Sequence, residues 1–519
     1  MPIENPANGT ALSRLHIPSP AQLDHALHTA QQAFLTSRST PWSSAHVRSA
    51  VLHRLSVLLS AQASQLAEVE TLQTGRCIRE MKTQLSRVGE WFEYYAALIR
   101  TLEGRTMPVK GDMLNTIERQ PLGVVLQVIP FNHPLLIAVK KISVALAAGN
   151  SVIVKASELA PLTVLTLGAL AREAGVPDGL LTILPGPGAP ICNHLLSHPS
   201  SVVRKIDLTG GTATGRVLGR KAGELLIPYT AELGGKAPLV VFDDVPDVQS
   251  AVAGASFASF VASGQTCVSA TRVLVQQDVY DQFVASFIER AQSIERRMGD
   301  PSEPCTSMGS LISRAHMNKV HGFVHRAIES DGFRVLAGGA PKTEFSATSY
   351  DFAKGAFYPP TLLTLARDAA DIGTANEMRL RASEIWKGEV FGPVVLLCPF
   401  RDEEHAVELA NDCQYGLGAS IWTESLSRAH RVSKRLANGV VWVNGHHRND
   451  PSSIWGGFIA TSNGSVFSAS GLGRENGLEA LHAYTQSKSI TFNLASAQER
   501  RANEDWFAET VEGRQLRYG

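Results

Sequence analysis

The spacing of apolar positions divides the first third of the chain into helical and strand-like stretches. Between residues 19 and 104, apolar side chains recur three and four positions apart, which predicts helices at residues 21–37, 47–70 and 81–102. The pattern then changes, since residues 108–121 have the alternation of an exposed strand pair and residues 122–129 form a continuous apolar run. The helices are typical of the outer layer of an α/β domain.

From residue 122 onward, short apolar runs alternate with helical stretches. The predicted strands are residues 122–129, 151–155, 180–184, 202–208, 238–242 and 272–275, and the predicted helices between them include 135–148, 162–174 and 279–296. Such alternation predicts parallel strands joined by helical crossovers, and therefore a doubly wound α/β fold. Ligands of such folds bind at the carboxyl ends of the strands.

One cysteine lies where a nucleophile could be exposed. Cys267 follows Gly264, Gln265 and Thr266, so small and polar residues surround it and the backbone can approach a ligand closely. A lone cysteine is more often a small buried apolar residue than a catalyst, so this segment alone is weak evidence. The other five cysteines, at positions 77, 192, 305, 398 and 413, form no pair with metal or disulfide spacing.

Two further segments supply groups that would complete an acyl-transfer site. Glu232 begins the segment Glu-Leu-Gly-Gly-Lys, and a carboxylate in such an apolar setting has a raised pKa and can act as a general base. Asn132 lies in a turn between two prolines, where its amide could donate to a developing oxyanion. A thiol, a base and an amide donor together indicate covalent acyl chemistry.

On these motifs the chain resembles the aldehyde dehydrogenase superfamily, from about residue 5 to residue 493. The Glu232 motif is complete, and the pattern F-x-x-x-G-Q-x-C ends at Cys267. The resemblance implies NAD-dependent oxidation of an aldehyde to a carboxylic acid through a Cys267 thiohemiacetal and thioester. Glu232 would be the general base for hydrolysis, and Asn132 would contribute to the oxyanion hole.

The resemblance also implies an architecture. The fold class would be α/β and aldehyde dehydrogenase-like, with two doubly wound domains and a small β arm for oligomerisation. The implied division is an NAD-binding domain at residues 1–105 and 122–235, a catalytic domain at 236–469, bridging segments at 106–121 and 470–498, and a tail at 499–519. A homodimer or homotetramer is expected.

Cofactor contacts carry over by the same resemblance. Lys155 and Glu158, at a strand end, would hold the adenosine ribose, and a carboxylate there favours NAD over NADP because it repels a 2′-phosphate. The implied pyrophosphate and nicotinamide contacts are Gly210, Gly211, Gly215, Glu389 and Phe391. From the residues alone, the glycine-rich turn could equally serve packing, and the charges could be a solvated surface.

The resemblance also implies four residues of the substrate tunnel: His133, His446, Arg448 and Asn449. They make the tunnel more polar than one for simple aliphatic aldehydes, which indicates a polar or acidic aldehyde. An exposed polar loop at residues 445–451 is an equally good reading. The histidines have no acidic or cysteine partners at metal-ligand spacing, so no metal is expected.

Two alternatives to hydrolytic aldehyde oxidation remain open at this stage. A CoA-acylating semialdehyde dehydrogenase would keep the fold, although Glu232 would then have no water to activate. A non-catalytic binding or structural relative is the other alternative, but residues for all three catalytic roles are present.

Composition narrows the class of protein. The 519 residues carry 48 Lys plus Arg and 48 Asp plus Glu, so the net charge gives no reason to expect nucleic acid binding. Apolar runs are too short to span a bilayer, the N-terminus has no leader pattern, and a cytoplasmic protein is expected. Three departures from the resemblance stand out: no N-terminal hairpin is expected, and residues 366–386 and 458–469 look like insertions.

Overall fold

The first large sheet carries strands that are buried on both faces. The computed structural model describes residues 1–198, 201–344, 350–365, 375–458, 460–462, 465–467, 469–504 and 507. The sheet has the order β19-β9-β8-β5-β6-β7. Its strands are β5 (Val124–Val128), β6 (Ser151–Ala156), β7 (Leu181–Pro185), β8 (Val203–Thr209), β9 (Tyr229–Glu232) and β19 (Gly471–Leu472). Strands β5 to β9 pair in parallel and β19 pairs antiparallel to β9.

Nine α-helices in the described residues before Leu226 accompany this sheet. They are α1 (Pro20–Ser37), α2 (Ala45–Ala61), α3 (Ala63–Thr74), α4 (Ile78–Leu85), α5 (Gly89–Leu98), α6 (Pro134–Ala147), α7 (Leu162–Ala174), α8 (Gly188–Ser197) and α9 (Thr212–Leu225). The stretches 47–70 and 81–102 were each expected to form one helix, but each forms two. Because both helices of each pair bury residues in the same core, the apolar spacing continues across the break and conceals it.

The second large sheet has the order β12-β13-β14-β11-β10-β15-β16. Its strands are β10 (Ala237–Val241), β11 (Ala270–Gln276), β12 (Arg334–Ala337), β13 (Thr361–Thr364), β14 (Val394–Phe400), β15 (Gly418–Trp422) and β16 (Val440–Val443). All neighbours are parallel except β12 and β13. The accompanying helices are α10 (Val248–Phe260), α11 (Gln277–Arg296), α12 (Arg314–Glu329), α13 (Ala375–Ala382), α14 (Glu384–Lys387), α15 (Glu403–Asn411) and α16 (Leu426–Arg435).

A small antiparallel sheet has the order β20-β4-β3. Its strands are β3 (Arg105–Met107), β4 (Met113–Pro121) and β20 (Thr485–Asn493), and the nearby helices are α17 (Gly477–Ala483) and α18 (Ala497–Glu504). All nine residues of β20 pair with β4, so the C-terminal segment is joined to the segment at 106–121 that was expected to accompany it. No helix of the described ranges is long and apolar enough to cross a membrane.

The expectation of a chain without an N-terminal hairpin is wrong. Strands β1 (Pro2–Glu4) and β2 (Ala11–Arg14) pair antiparallel. Their turn is closed by Asn5, whose backbone N–H donates to the Thr10 carbonyl and whose side-chain oxygen accepts from the Ala7 N–H. Gly9 in this turn has a φ of +72°, which other residues rarely adopt. The polar Asn-Pro-Ala-Asn-Gly run is thus a hairpin turn, and the strands flanking it are too short to show an alternating pattern.

The two expected insertions are described in part. Residues 366–374 lie outside the described residues, and the remainder of the first insertion forms α13 and α14. Within the second, β17 (Ala460–Ser462) and β18 (Ser465–Phe467) make an antiparallel hairpin. Of the expected tail, α18 reaches Glu504.

Candidate active site

The three predicted catalytic residues line one cavity of about 250 Å³. Asn132 follows β5, Glu232 is the last residue of β9, and Cys267 lies just before β11. The two large sheets therefore each contribute to the cavity, because β5 and β9 belong to the first and β11 to the second. Cys267 is the only cysteine among the residues that line it, and all six cysteines are described.

Two glycines allow the nucleophile segment to lie against its neighbours. A Cβ at Gly235 would stand 1.8 Å from the Cys267 carbonyl oxygen, so the loop after Glu232 reaches the nucleophile only with glycine there. A Cβ at Gly264 would stand 2.3 Å from the Gly392 carbonyl oxygen, and its φ is +72°. These contacts explain why glycines accompany Glu232 and Cys267 in the two motifs.

Asn132 is buried beside the nucleophile segment. Its Nδ2 donates to the Gln265 carbonyl oxygen over 2.8 Å, while the Gln265 side chain accepts from the Ile312 N–H over 3.0 Å. A side-chain amide has two N–H groups. The one not used by Gln265 has no other protein partner among the described residues, so it is available to an oxygen in the cavity.

Glu232 is a buried carboxylate without a hydrogen-bond partner. Both of its oxygens lack one among the described residues. Burial raises its pKa well above the ordinary value, and the nearby charge of Glu475 raises it further, against the opposing effect of Lys140 and Lys141. The group therefore holds a proton to higher pH than an exposed glutamate, which is the property required of a base that works near neutrality.

Cys267 is a thiol in the resting protein. Burial raises its pKa to about 12, and the charges of Glu389 and Glu232 contribute, whereas Lys140 opposes them. At neutral pH the sulfur is therefore protonated, and its proton needs an acceptor before the sulfur can attack. Of the carboxylates that line the cavity, Glu475 bonds to two lysines and Glu389 accepts from the Gly235 N–H, whereas both oxygens of Glu232 have no partner among the described residues and can accept that proton.

An ion network that the sequence did not reveal lies at the base of this cavity. Lys140 Nζ is 2.8 Å from Glu475 Oε2 and 5.0 Å from the centre of the Trp455 ring. The neighbouring Lys141 bonds to both Asp207 and Glu475. Burial opposes ionisation of Glu475, but the two lysines outweigh it and bring its pKa to about 2. Glu475 is thus kept ionised, whereas the pKa of Glu232 is raised.

The predicted pyrophosphate turn contains an open helix end. Gly211 is the N-cap of α9 and makes no side-chain cap, and a Cβ there would meet nothing within 4 Å. Gly210 and Gly211 line the same cavity as Cys267, together with Thr209, whose buried hydroxyl has no partner among the described residues. Uncapped N–H groups at a helix N-terminus form an anion site.

Gly215, by contrast, serves packing. A Cβ at this position would stand 2.5 Å from Leu233 Cδ1, and the Gly215 carbonyl accepts a hydrogen bond from the Tyr229 hydroxyl over 2.8 Å. Gly215 does not line the cavity. Its lack of a side chain brings α9 close to the segment after Glu232, which positions the helix end beneath the cavity.

Lys155 and Glu158 form an ion pair, with Lys155 Nζ 3.2 Å from Glu158 Oε2. They lie at the carboxyl end of β6, with Lys155 buried and Glu158 partly exposed. Lys155 Nζ would also be 3.5 Å from a Cβ on Gly188. The pair lies beyond the residues that line the cavity of Cys267, at the edge where the sheet ends.

Glu389 and Phe391 face the cavity from the second sheet. Glu389 Oε1 accepts from the Gly235 N–H over 2.8 Å, and burial raises its pKa to about 7. The Phe391 ring meets the rings of Phe131 and His316 at centroid distances of 5.9 Å each, and the backbone of Phe391 has a φ of +57°. Strained backbone of this kind persists where surrounding packing fixes it, often at functional sites.

The predicted tunnel residues divide into two groups. His133 and Asn449 line the cavity of Cys267 and also a larger neighbouring cavity, and Arg448 lines the larger one alone. His446 lines neither cavity within the described residues. Its Nε2 donates to the Val268 carbonyl over 2.7 Å, and its Nδ1 accepts from the Ser420 hydroxyl. His446 thus fixes the segment that follows the nucleophile.

His447 takes the place that sequence reasoning gave to His446. It lines both cavities, and its ring lies 5.8 Å from that of His133. Two adjacent histidines in a loop cannot be told apart from the sequence, because which one points inward depends on the backbone. Here His447 has a φ of +51°, a conformation that no local pattern indicates.

This doubly wound fold, with a thiol, a carboxylate and an amide around one cavity beside an open helix end, defines the class of the protein as an α/β oxidoreductase. The chain belongs to the aldehyde dehydrogenase family, whose sequence model matches residues 1–490. The predicted fold class is therefore confirmed.

Solved structures resemble the whole chain. A candidate aldehyde dehydrogenase from Burkholderia cenocepacia is 35% identical with a TM-score of 0.86, over 95% of this chain and 94% of that one. PnpE from Pseudomonas sp. WBC-3, also solved in complex with nicotinamide adenine dinucleotide, is 34% identical with a TM-score of 0.86, over 96% and 94%. Betaine aldehyde dehydrogenase from Staphylococcus aureus, in complex with NAD+, is 30% identical with a TM-score of 0.87, over 98% and 93%.

Proposed function

We propose that the protein oxidises an aldehyde to the carboxylic acid with NAD as its cofactor. The observation that carries this proposal is the convergence of Cys267, Glu232 and Asn132 on a single cavity that continues to the uncapped end of α9. The likeness to family members solved with NAD supports the choice of cofactor.

The described residues fit NAD. The open space at Gly211, the uncapped α9 and the unpartnered Thr209 hydroxyl suit a pyrophosphate, while Glu389 and Phe391 would hold the nicotinamide riboside. Lys155 and Glu158 would hold the adenosine ribose, with the carboxylate favouring NAD over NADP. NAD, when bound, supplies the acceptor for the hydride that leaves the aldehyde carbon.

Cys267 and Glu232 carry the covalent steps. The Cys267 sulfur forms a bond to the aldehyde carbon, and its proton passes to the Glu232 carboxylate. The aldehyde oxygen becomes an oxyanion, to which the free Asn132 N–H donates. Loss of hydride from this thiohemiacetal leaves a thioester on Cys267.

Hydrolysis of the thioester uses Glu232 again, after its proton has left to solvent. Glu232 takes a proton from water as the water oxygen bonds to the acyl carbon, and the carbon–sulfur bond then breaks. The carboxylic acid is released, and the proton held by Glu232 returns to the sulfur, which restores the thiol. A water-activating base has no role in the second step when CoA accepts the acyl group, so the position of Glu232 in the cavity of Cys267 supports hydrolysis over the acylating alternative.

The substrate is proposed to be a polar or acidic aldehyde, since His133, His447 and Asn449 line the path between the two cavities. The protein is also proposed to be a homodimer or homotetramer. The small sheet has β20 and β3 as its edges, and sheet edges are ready to pair with another chain.

The test is NADH formation from a panel of aldehydes by the wild type, Cys267→Ala and Cys305→Ala. Cys305 is exposed and lines neither cavity, which makes it a matched control. Cys267→Ala is expected to abolish NADH formation and Cys305→Ala to retain it. Equal turnover by the wild type and Cys267→Ala would refute the nucleophile. Strict dependence of turnover on added CoA would refute hydrolysis.

A further inference from the structure

A second cavity, of about 700 Å³, adjoins the cavity of Cys267. The two share four lining residues, His133, Leu136, His447 and Asn449. The second cavity therefore borders the site of the nucleophile at these four residues, and the glycines of the α9 terminus do not line it. We name it the arginine vestibule, because six arginines line it: Arg76, Arg79, Arg87, Arg290, Arg297 and Arg448.

The charge of the arginine vestibule is strongly one-sided. Among the described residues that line it, Glu80 is the only carboxylate, and it already pairs with Arg76 over 3.2 Å. His133 and His447, which line both cavities, add no charge to the vestibule. Burial and the nearby Arg76 lower the pKa of His133, and burial, with His446 and Arg76, lowers that of His447 to about 3. Both rings are therefore neutral at pH 7, and the arginines set the potential.

Two of the arginines, Arg76 and Arg87, already bond to other groups of the protein. Arg76 is buried and donates to Gln84, to the Asn132 carbonyl and to His133 Nδ1, so it fixes the wall of the cavity. Arg87 forms an exposed pair with Glu90. Neither is free to recognise a ligand without breaking these contacts.

The other four have no carboxylate partner within the described ranges. Arg79 on α4 donates to the Ser307 carbonyl over 2.9 Å. The remaining three are Arg290 on α11, Arg297 just after that helix, and Arg448 on the loop that carries His447. Among the described residues, the Arg297 side chain makes one hydrogen bond, from its Nε to the Ser293 carbonyl. A guanidinium presents its N–H groups in a fork that matches a carboxylate, and two such groups in one cleft repel each other until an anion joins them.

We propose that the arginine vestibule binds the remote carboxylate of a semialdehyde acid, with Arg290, Arg297 and Arg448 as specificity-determining residues. This inference rests on the proposed aldehyde oxidation and names its substrate class. The aldehyde end reaches Cys267 past His133 and His447, while the acid end stays among the guanidinium groups. Trp91, Phe257 and Phe260 also line the cavity and provide apolar surface for the carbon skeleton between the two ends.

The test compares each acid with its own methyl ester. A series of ω-oxo acids and 4-carboxybenzaldehyde, each with the matching ester, is assayed for NADH formation, with kcat and KM determined separately. The wild type is expected to favour the acids by at least roughly tenfold in kcat/KM, mainly through a lower KM. The preference should shrink as salt is raised, because the attraction is electrostatic.

Substitutions of single arginines test which of them bind the carboxylate. Arg290→Met and Arg297→Met are each expected to reduce the acid-over-ester ratio by roughly tenfold, and Arg297→Lys to restore part of it. Arg54→Met, an exposed arginine of α2 that lines neither cavity, is the control and should keep the wild-type ratio.

Equal kcat/KM for acid and ester in the wild type, or variants that reduce both alike, would overturn the vestibule as a carboxylate site. In either case turnover of the esters would leave the proposed oxidation standing. Failure of every aldehyde to yield NADH would instead refute the proposed function itself, so the two failures are distinguishable.

Discussion

Glu232→Gln removes the proposed base while leaving the shape of the site almost unchanged. Both oxygens of Glu232 lack a hydrogen-bond partner among the described residues, so the substitution breaks no bond in the protein. Any fall in kcat then comes from the loss of the base and not from a change in the structure. A positioned general base contributes roughly 10²- to 10⁴-fold, so kcat should fall by that factor, equivalent to about 3–5 kcal/mol on the barrier.

The pH dependence of this variant has a definite sign. Burial raises the pKa of Glu232 in the folded protein, so its proton is bound more tightly there than in the unfolded chain. The folded state is therefore favoured at low pH and loses stability as pH rises through the folded pKa, where the buried group must ionise. Glu232→Gln should be more stable than the wild type above that pH and similar to it in acid.

The assay combines steady-state NADH formation between pH 5 and 9 with denaturant unfolding over the same range. The wild-type kcat should rise with pH through an apparent pKa above the ordinary glutamate value, and Glu232→Gln should lose that rise. Glu70→Gln is the matched control, because Glu70 is also buried with a raised pKa but bonds to Gln73 and Thr163 away from the cavity. It should lose stability and keep its kcat. A kcat of Glu232→Gln within threefold of the wild type would refute the role of Glu232.

Two further predictions address the cofactor and the buried ions. Glu158→Gln should reduce the preference for NAD over NADP by roughly tenfold, because the carboxylate no longer repels a 2′-phosphate. The preference is measured as the ratio of the kcat/KM values for the two cofactors. An unchanged ratio would show that Glu158 does not face the ribose. Lys141→Met should lower the free energy of unfolding by about 3–5 kcal/mol, since it leaves the buried Asp207 without its ion-pair partner and Glu475 with Lys140 alone. A loss below about 1 kcal/mol in denaturant titration would mean that the network does not stabilise the fold.

The sequence contained most of the information on the fold. The strand predicted at 151–155 is found as β6, because its run of β-branched residues suits a strand covered on both faces. The strand predicted at 202–208 is found as β8, although Arg204, Lys205 and Asp207 interrupt its apolar pattern. Helix boundaries were harder to predict from the sequence. The break between α2 and α3 at Gln62 carries no glycine or proline, so only the packing of both helices in one core determines it.

The candidate site could be predicted from the sequence where a short local motif specifies it. The glycines beside Glu232 and Cys267 are required by backbone contacts as close as that of Gly235 with Cys267, so the motifs are visible as short patterns. The contact between Lys140 and Glu475 joins positions 335 residues apart and has no local signature. The arginine vestibule draws on separated segments for the same reason, and only folding places its charges together.

The central claim, a thioester on Cys267 that Glu232 resolves, is tested most directly by intact-protein mass spectrometry of Glu232→Gln quenched in acid after mixing with an aldehyde and NAD+. We expect an added mass equal to the acyl group, located on the peptide that contains Cys267 and absent from the double variant with Cys267→Ala. An enzyme that forms NADH in this mixture while Cys267 carries no acyl group at any quench time would contradict it.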